Sequence, residues 1–209
     1  MNADLMSLIE AIIADDRAAF DARLAAGPGL ARATLGEGAT RQGGGDFFIP
    51  RFGRHLMAGD TALHIAAAGY RADMVRGLLA AGADPRARNR RGAEPLHASA
   101  DGGPGSEHWN PGAQVATIAA LIAAGADPNA LDKSGPAPLH KAVRGPCAAA
   151  VGALVQGGAD PRLKTKSGTT PGRLAQLTTG RSGSGAMEAK AEKALIVERL
   201  HAHNQDAVG

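Results

Sequence analysis

With 209 residues and a formal charge of +3, the chain has room for one or two ordinary domains and is only mildly basic. Aromatic residues make up 3% of it, too few for a conventional globular core, and no apolar run reaches the roughly 18 residues of a membrane span. Cys147 is the only cysteine, so an internal disulfide is excluded and a reducing compartment fits. The expectation is a soluble, cytoplasmic protein, and the heavy use of Ala, Gly and Arg points to a GC-rich bacterial gene.

In chain order, residues 1–27 read as a terminal helix pair. Leu8, Ala11, Ile12, Phe20 and Leu24 sit at helical spacing, and Asp15, Asp16 and Arg17 fill the turn between the helices. Residues 28–58 carry no helical period. They are Gly-rich and hold three of the four phenylalanines, Phe47, Phe48 and Phe52, with Arg41, Arg51, Arg54 and His55 nearby. A loop of that length is functional or disordered in most domains, and its aromatics argue against plain disorder. Residues 59–91 form the clearest unit. Leu63, Ala66 and Ala67 make one helical run and Val75, Leu78 and Leu79 a second; Gly69 separates them and Gly82 stops the second.

The pattern then repeats. Residues 92–134 carry Glu94-Pro95-Leu96-His97, an insert over 101–112 containing His108-Trp109-Asn110-Pro111, and a helix with Val115, Ile118, Leu121 and Ile122. Residues 135–167 carry Pro138-Leu139-His140 and then Val151, Leu154 and Val155. Residues 168–209 begin Thr169-Thr170-Pro171, pass through a Gly/Ser connector at 178–185, and end in a helix with Leu195, Ile196 and Leu200 assigned to one face. Each complete unit closes with Gly-Ala-Asp, at Gly82, Gly125 and Gly158.

A two-helix unit of this period, with Thr61-Ala62-Leu63-His64 at its start and Gly82-Ala83-Asp84 at its end, resembles the ankyrin repeat. The resemblance implies an all-α solenoid of about five helix pairs with capped ends, forming one continuous domain. It also implies a structural role for His64, His97 and His140, whose imidazoles would tie neighbouring repeats, with Thr61 as the matching cap residue. Glu94 and Ala137 replace that Thr in the next two copies. One imidazole per repeat leaves them roughly 10 Å apart, the spacing of packed helices, too far to share a metal. Such a scaffold implies a binding protein without pointing to what it binds.

The projecting fingers between units carry the candidate partner face. Aligned on Gly92, Gly135 and Gly168, they place Arg90, Lys133 and Lys166 in one column and Arg88 and Lys164 in another, with Arg91 alongside. This row reads either as solvated hairpin tips or as a docking strip for an acidic protein or peptide. Phe47, Phe48 and Phe52 read either as apolar anchors or as cover for the first repeat's core. A stripe with so little aromatic interleaving does not fit nucleic acid. Tyr70, His108, Trp109 and Asn110 could line a pocket, which is the basis of an alternative reading as a small-molecule or enzymatic site at 101–112. An inhibitor that plugs a partner enzyme with the Phe-rich loop is a further variant. Cys147 opens an outer helix, where the dipole could lower a thiol pKa, but it reads better as a small core residue. No catalytic residue, cofactor or metal is expected, and the chain is expected to be a monomer.

Overall fold

The computed structural model describes residues 3–40, 44–104, 109–177 and 187–206. Arg41, His108 and the connector at 178–185 lie outside the described residues. Among the described residues, ten α-helices form five pairs: α1 (Ala3–Ala14) and α2 (Arg17–Ala26), α3 (Ala62–Ala68) and α4 (Ala72–Ala80), α5 (Pro95–Ala100) and α6 (Pro111–Ala123), α7 (Pro138–Arg144) and α8 (Ala148–Gln156), α9 (Pro171–Leu177) and α10 (Met187–Asp206). The first members stack as an inner row, α1 on α3 on α5 on α7 on α9; the second members stack as an outer row. The fold is the expected all-α solenoid. No helix among the described residues is long and apolar enough to cross a membrane.

The periodic apolar positions explain the stack. Leu63, Val75, Leu78, Leu96, Ile118, Leu121, Leu139, Val151 and Leu154 are all buried, as are Leu5, Leu8, Ile12 and Phe20 of the first pair. Burial of each such side chain contributes about 2 kcal/mol. Small residues set the spacing: a Cβ added at Gly77 of α4 would already press on the Phe20 ring at 3.2 Å. The outer helices stop where Gly82, Gly125 and Gly158 turn the chain with φ near +90° (86°, 92° and 94°), a conformation glycine adopts without strain.

The last pair corrects one expectation. Ile196 and Leu200 of α10 are buried, but Leu195, assigned to the same face, points to solvent at 44% exposure. Consecutive residues on a helix are 100° apart, so Leu195 and Ile196 cannot both centre on one narrow stripe. A polar contact adds to the docking: Glu192 accepts the Ala148 N–H at 2.5 Å, capping the start of α8, whose own N-cap residue Cys147 makes no side-chain cap.

The segment at 28–58 is the largest departure from a plain helical stack. Its two legs run antiparallel and are hydrogen-bonded: Leu35 N–H to the Asp60 carbonyl (2.8 Å), Gly59 N–H to Leu35 (2.7 Å) and Ala39 N–H to Leu56 (2.8 Å). It is thus a finger like the others, with an extended tip. Within the tip, β1 (Phe48–Ile49) pairs antiparallel with β2 (Arg54–His55) around a tight 3-10 turn at Pro50–Phe52. Leu35, Ile49, Phe52, Leu56 and Met57 are buried, so the tip has a small core that merges with that of α1 and α3. The tip folds back to the far ends of α1 and α3, where Phe52 meets Gly69 and Arg51 donates to the Ile13 carbonyl.

Candidate functional site

Each of the three regular fingers turns on one polar residue, the first of its closing turn. Asn89 Oδ1 accepts the N–H groups of Arg91 (2.9 Å) and Ala93 (3.1 Å), and its amide donates to the buried Asp60 carboxylate (2.8 Å). Asp132 does the same work in the next finger, accepting from the N–H groups of Ser134 (2.8 Å) and Gly135 (2.9 Å) and from the Ser134 hydroxyl (2.6 Å). In the third, the Thr165 hydroxyl accepts the Thr169 N–H at 3.1 Å. These turn residues were not singled out from sequence, although their fixed offset of three before Gly92, Gly135 and Gly168 is the signal that finds them. Burial pushes the Asp132 carboxyl up, but the Ser134 hydroxyl and the Lys141 ammonium more than offset it and hold it below the usual range.

With the turns fixed this way, Arg90, Lys133 and Lys166 share one orientation. Each reaches back to the preceding finger: Arg90 Nη2 donates to the Ala39 carbonyl (2.5 Å), Lys133 Nζ to the Arg90 carbonyl (2.9 Å) and Lys166 Nζ to the Lys133 carbonyl (2.6 Å). All three remain exposed. The close approach is made possible by glycine: a Cβ on Gly92 would lie 2.9 Å from Lys133 Cγ, and one on Gly135 2.8 Å from the Lys166 nitrogen. Arg91 and Lys164 are exposed as well. Arg88 is not available in the same way. Its Nε and Nη2 both donate to Glu94 Oε1, at 3.1 and 3.0 Å, so its charge is matched within the chain.

The phenylalanines divide. Phe52 cannot serve as an exposed anchor: it is buried at 6% exposure, lies against Gly69, where a Cβ would meet its Cζ at 2.5 Å, and sits under the Arg71 guanidinium at 6.0 Å. Phe47 is half-buried and packs on the core. Phe48 is 44% exposed and lies 4.9 Å from the His55 ring, centroid to centroid.

Of the residues predicted to line a pocket at 101–112, His108 lies outside the described residues, and Tyr70, Asn110 and Trp109 are engaged in local structure. Tyr70 is buried, with φ of 57°, and its hydroxyl donates to the Asp101 carbonyl at 2.6 Å. Burial raises its pKa. Asn110 is the N-cap of α6, accepting the Ala113 N–H at 3.0 Å. Trp109 is half-buried against the core beside Cys147. The Cys147 thiol is fully buried and burial pushes its pKa up, the opposite of an activated nucleophile. The insert's first residues do reach a cavity, but a different one.

That cavity is a groove of about 590 Å³ on the finger side of the inner helices. Phe52–His55 wall one end, Gly102–Pro104 with Gly145 and Pro146 the other, and α3, α5 and α7 form the floor. Four cationic side chains line it: Arg54, Arg91, Lys141 and Arg144, against Asp101 and Asp132. Arg54 is held by Asp60 (3.5 Å) and Lys141 by Asp132 (3.6 Å). Among the described residues, Arg91 and Arg144 have no carboxylate in ion-pair range.

Beneath the groove the imidazoles tie repeat to repeat. His64 Nδ1 accepts the Thr61 N–H at 3.1 Å, which fixes its tautomer, so Nε2 donates to the Ala93 carbonyl of the next repeat at 3.0 Å. The Thr61 hydroxyl accepts the His64 N–H in return, at 3.4 Å. His140 repeats this with the Ala137 N–H (3.2 Å) and the Thr169 carbonyl (3.1 Å). His97 Nδ1 accepts the Glu94 N–H at 3.1 Å, but its Nε2 makes no hydrogen bond among the described residues, although the Pro136 carbonyl acts on it electrostatically. Burial lowers the pKa of all three, that of His97 to about 4. Among the described residues, no group of three His, Cys, Asp or Glu side chains could hold a metal ion.

The family model for the ankyrin repeat matches residues 58–90. No curated protein matches the chain. The matched span contains the Thr61–His64 cap, the α3–α4 pair and the start of the finger turn at Asn89, and the same geometry recurs in the following units. Residues 58–90 are thus an ankyrin repeat, and the helix pairs that follow are built on the same plan.

Proposed function

We propose that the protein is a non-catalytic interaction module that docks an acidic protein surface through its fingers and the adjoining face of the inner helices. The ankyrin repeat is a generic protein–protein interaction module, which supplies the first half of this reading. The row of Arg90, Lys133 and Lys166 supplies the second, because three exposed cations held at repeat spacing form a positive edge of fixed register. Such an edge speeds encounter with an acidic partner and fixes its alignment more than it adds raw affinity. Arg91 and Lys164 extend the edge, and Phe48 offers an apolar contact at its start.

The test is quantitative co-purification with the wild-type chain and the Lys133→Glu/Lys166→Glu double variant as baits. Partners should be recovered by the wild type, released by raised salt, and reduced tenfold or more on the variant. Recovery that is equal on both baits would reject the basic edge.

A further inference from the structure

Resting on the interaction reading above, we infer that the groove between the extended first finger and the Gly102–Pro104 rim holds an extended acidic segment of a partner, about six residues long. Three observations carry this.

The first is shape. The groove runs from Phe52 over α3 to Arg144 on α7, two inner-helix spacings, which is roughly 20 Å at 8–10 Å each. Its volume is about 590 Å³. An extended chain rising about 3.3 Å per residue fills the same length with six residues.

The second is what the two inserted segments do to the face. In a plain stack the inner helices would offer one continuous surface. Here Phe52 and Gly53 cover the start of it above Ala68 and Gly69, and Gly102–Pro104 packs onto Gly145–Pro146 at the far side. The backbones there are in direct contact: a Cβ on Gly103 would lie 2.7 Å from the Gly145 carbonyl oxygen. The far end is therefore walled by main chain with few side chains, so a second main chain can approach closely there.

The third is charge. The lining carries four cations against two carboxylates, and the two carboxylates differ in kind. Asp132 is committed to its finger turn and to Lys141. Arg91 from a finger and Arg144 from the end of α7 enter the groove with no carboxylate in ion-pair range among the described residues. Guanidinium groups with open donor forks are suited to carboxylates, which they bind bidentately.

The proposal is tested on the full chain by fluorescence anisotropy with a labelled hexapeptide of alternating Glu and Gly. Arg91→Glu/Arg144→Glu should weaken binding at least tenfold, and Lys133→Glu/Lys166→Glu less than threefold. Among the described residues, Arg91 and Arg144 make no ion pair that the substitution would break, and a far-ultraviolet dichroism spectrum checks that the fold is kept. A larger loss with the finger variant would overturn the groove and leave the basic edge standing. Absence of binding up to millimolar peptide would overturn the groove; the co-purification experiment reports separately on the interaction reading. A helical Ala-rich peptide of equal charge that competes better would overturn the extended conformation. Inorganic tripolyphosphate competing as well as the peptide would overturn peptide recognition in favour of a simple anion site.

Discussion

At the scale of single residues, the cap slot at the start of each inner helix shows what side-chain chemistry contributes. Thr61 fills it with a hydroxyl that accepts the His64 N–H, and the repeat closes on itself. Glu94 occupies the same slot with a carboxylate whose side chain is 1% exposed. One oxygen is matched by Arg88, while Oε2 has no hydrogen-bond partner among the described residues. Burial raises its pKa, with Arg88 opposing the shift. A buried half-satisfied carboxylate is a poor substitute for a cap hydroxyl. Glu94→Thr should therefore raise unfolding stability by about 1 kcal/mol, read from the urea midpoint. A lower midpoint would mean that the Arg88–Glu94 pair outweighs the unpaired oxygen. The left-handed residues Asp15 and Tyr70 tell a related story. They occupy the same inter-helix position in successive units and are the two non-glycine residues with positive φ among those described. Asp15 is tied to Arg71 at 2.8 Å and Tyr70 to the Asp101 carbonyl, so each strained turn is anchored by its own side chain.

At the scale of elements, the extended first finger is ordered by contacts that its own sequence does not advertise. Phe52 is seated because Gly69 leaves room for its ring, and Arg90 and Arg51 pin the legs and tip through the Ala39 and Ile13 carbonyls. Gly69 has φ of −85°, which alanine adopts freely, so Gly69→Ala isolates the steric effect. It should destabilise the protein by about 2 kcal/mol through overpacking, and it should make the 47–55 segment a site of early proteolytic cleavage. Unchanged protection of that segment would contradict the packing role. The same contrast explains what was readable beforehand. The helix pairs were legible because Leu63, Val75 and their counterparts recur at a fixed period, and burial of a periodic stripe is a local property of sequence. The fate of Phe52, Tyr70 and Leu195 was not legible. Each depends on a long-range neighbour or on a rotation of one residue about a helix axis, and periodicity specifies neither. The groove was invisible for the same reason, since Arg54, Arg91 and Arg144 come from three separate units.

At the scale of the whole molecule, three buried imidazoles make stability depend on pH. His64, His97 and His140 are held neutral by burial, so their folded pKa values lie below the unfolded value of about 6.5. The unfolded chain then binds more protons, and stability is fully present above about pH 6.5 and declines as pH falls toward the folded values. For His97 the window runs from about 6.5 to about 4, which amounts to about 3 kcal/mol by linkage. The melting temperature should fall steadily between pH 7 and pH 5, and a His97→Gln variant should flatten part of that slope. A melting temperature constant over that range would show that the imidazoles are not held neutral. The imidazoles and the finger lysines also act together. His64 and His140 reach forward to the following repeat, while Lys133 and Lys166 reach backward to the preceding one. Neighbouring units are thus stitched from both directions, and a pivot between them must tear one stitch or the other. The docking edge arrives at an encounter with its final curvature already set, so this side of a complex gives up little disorder on association.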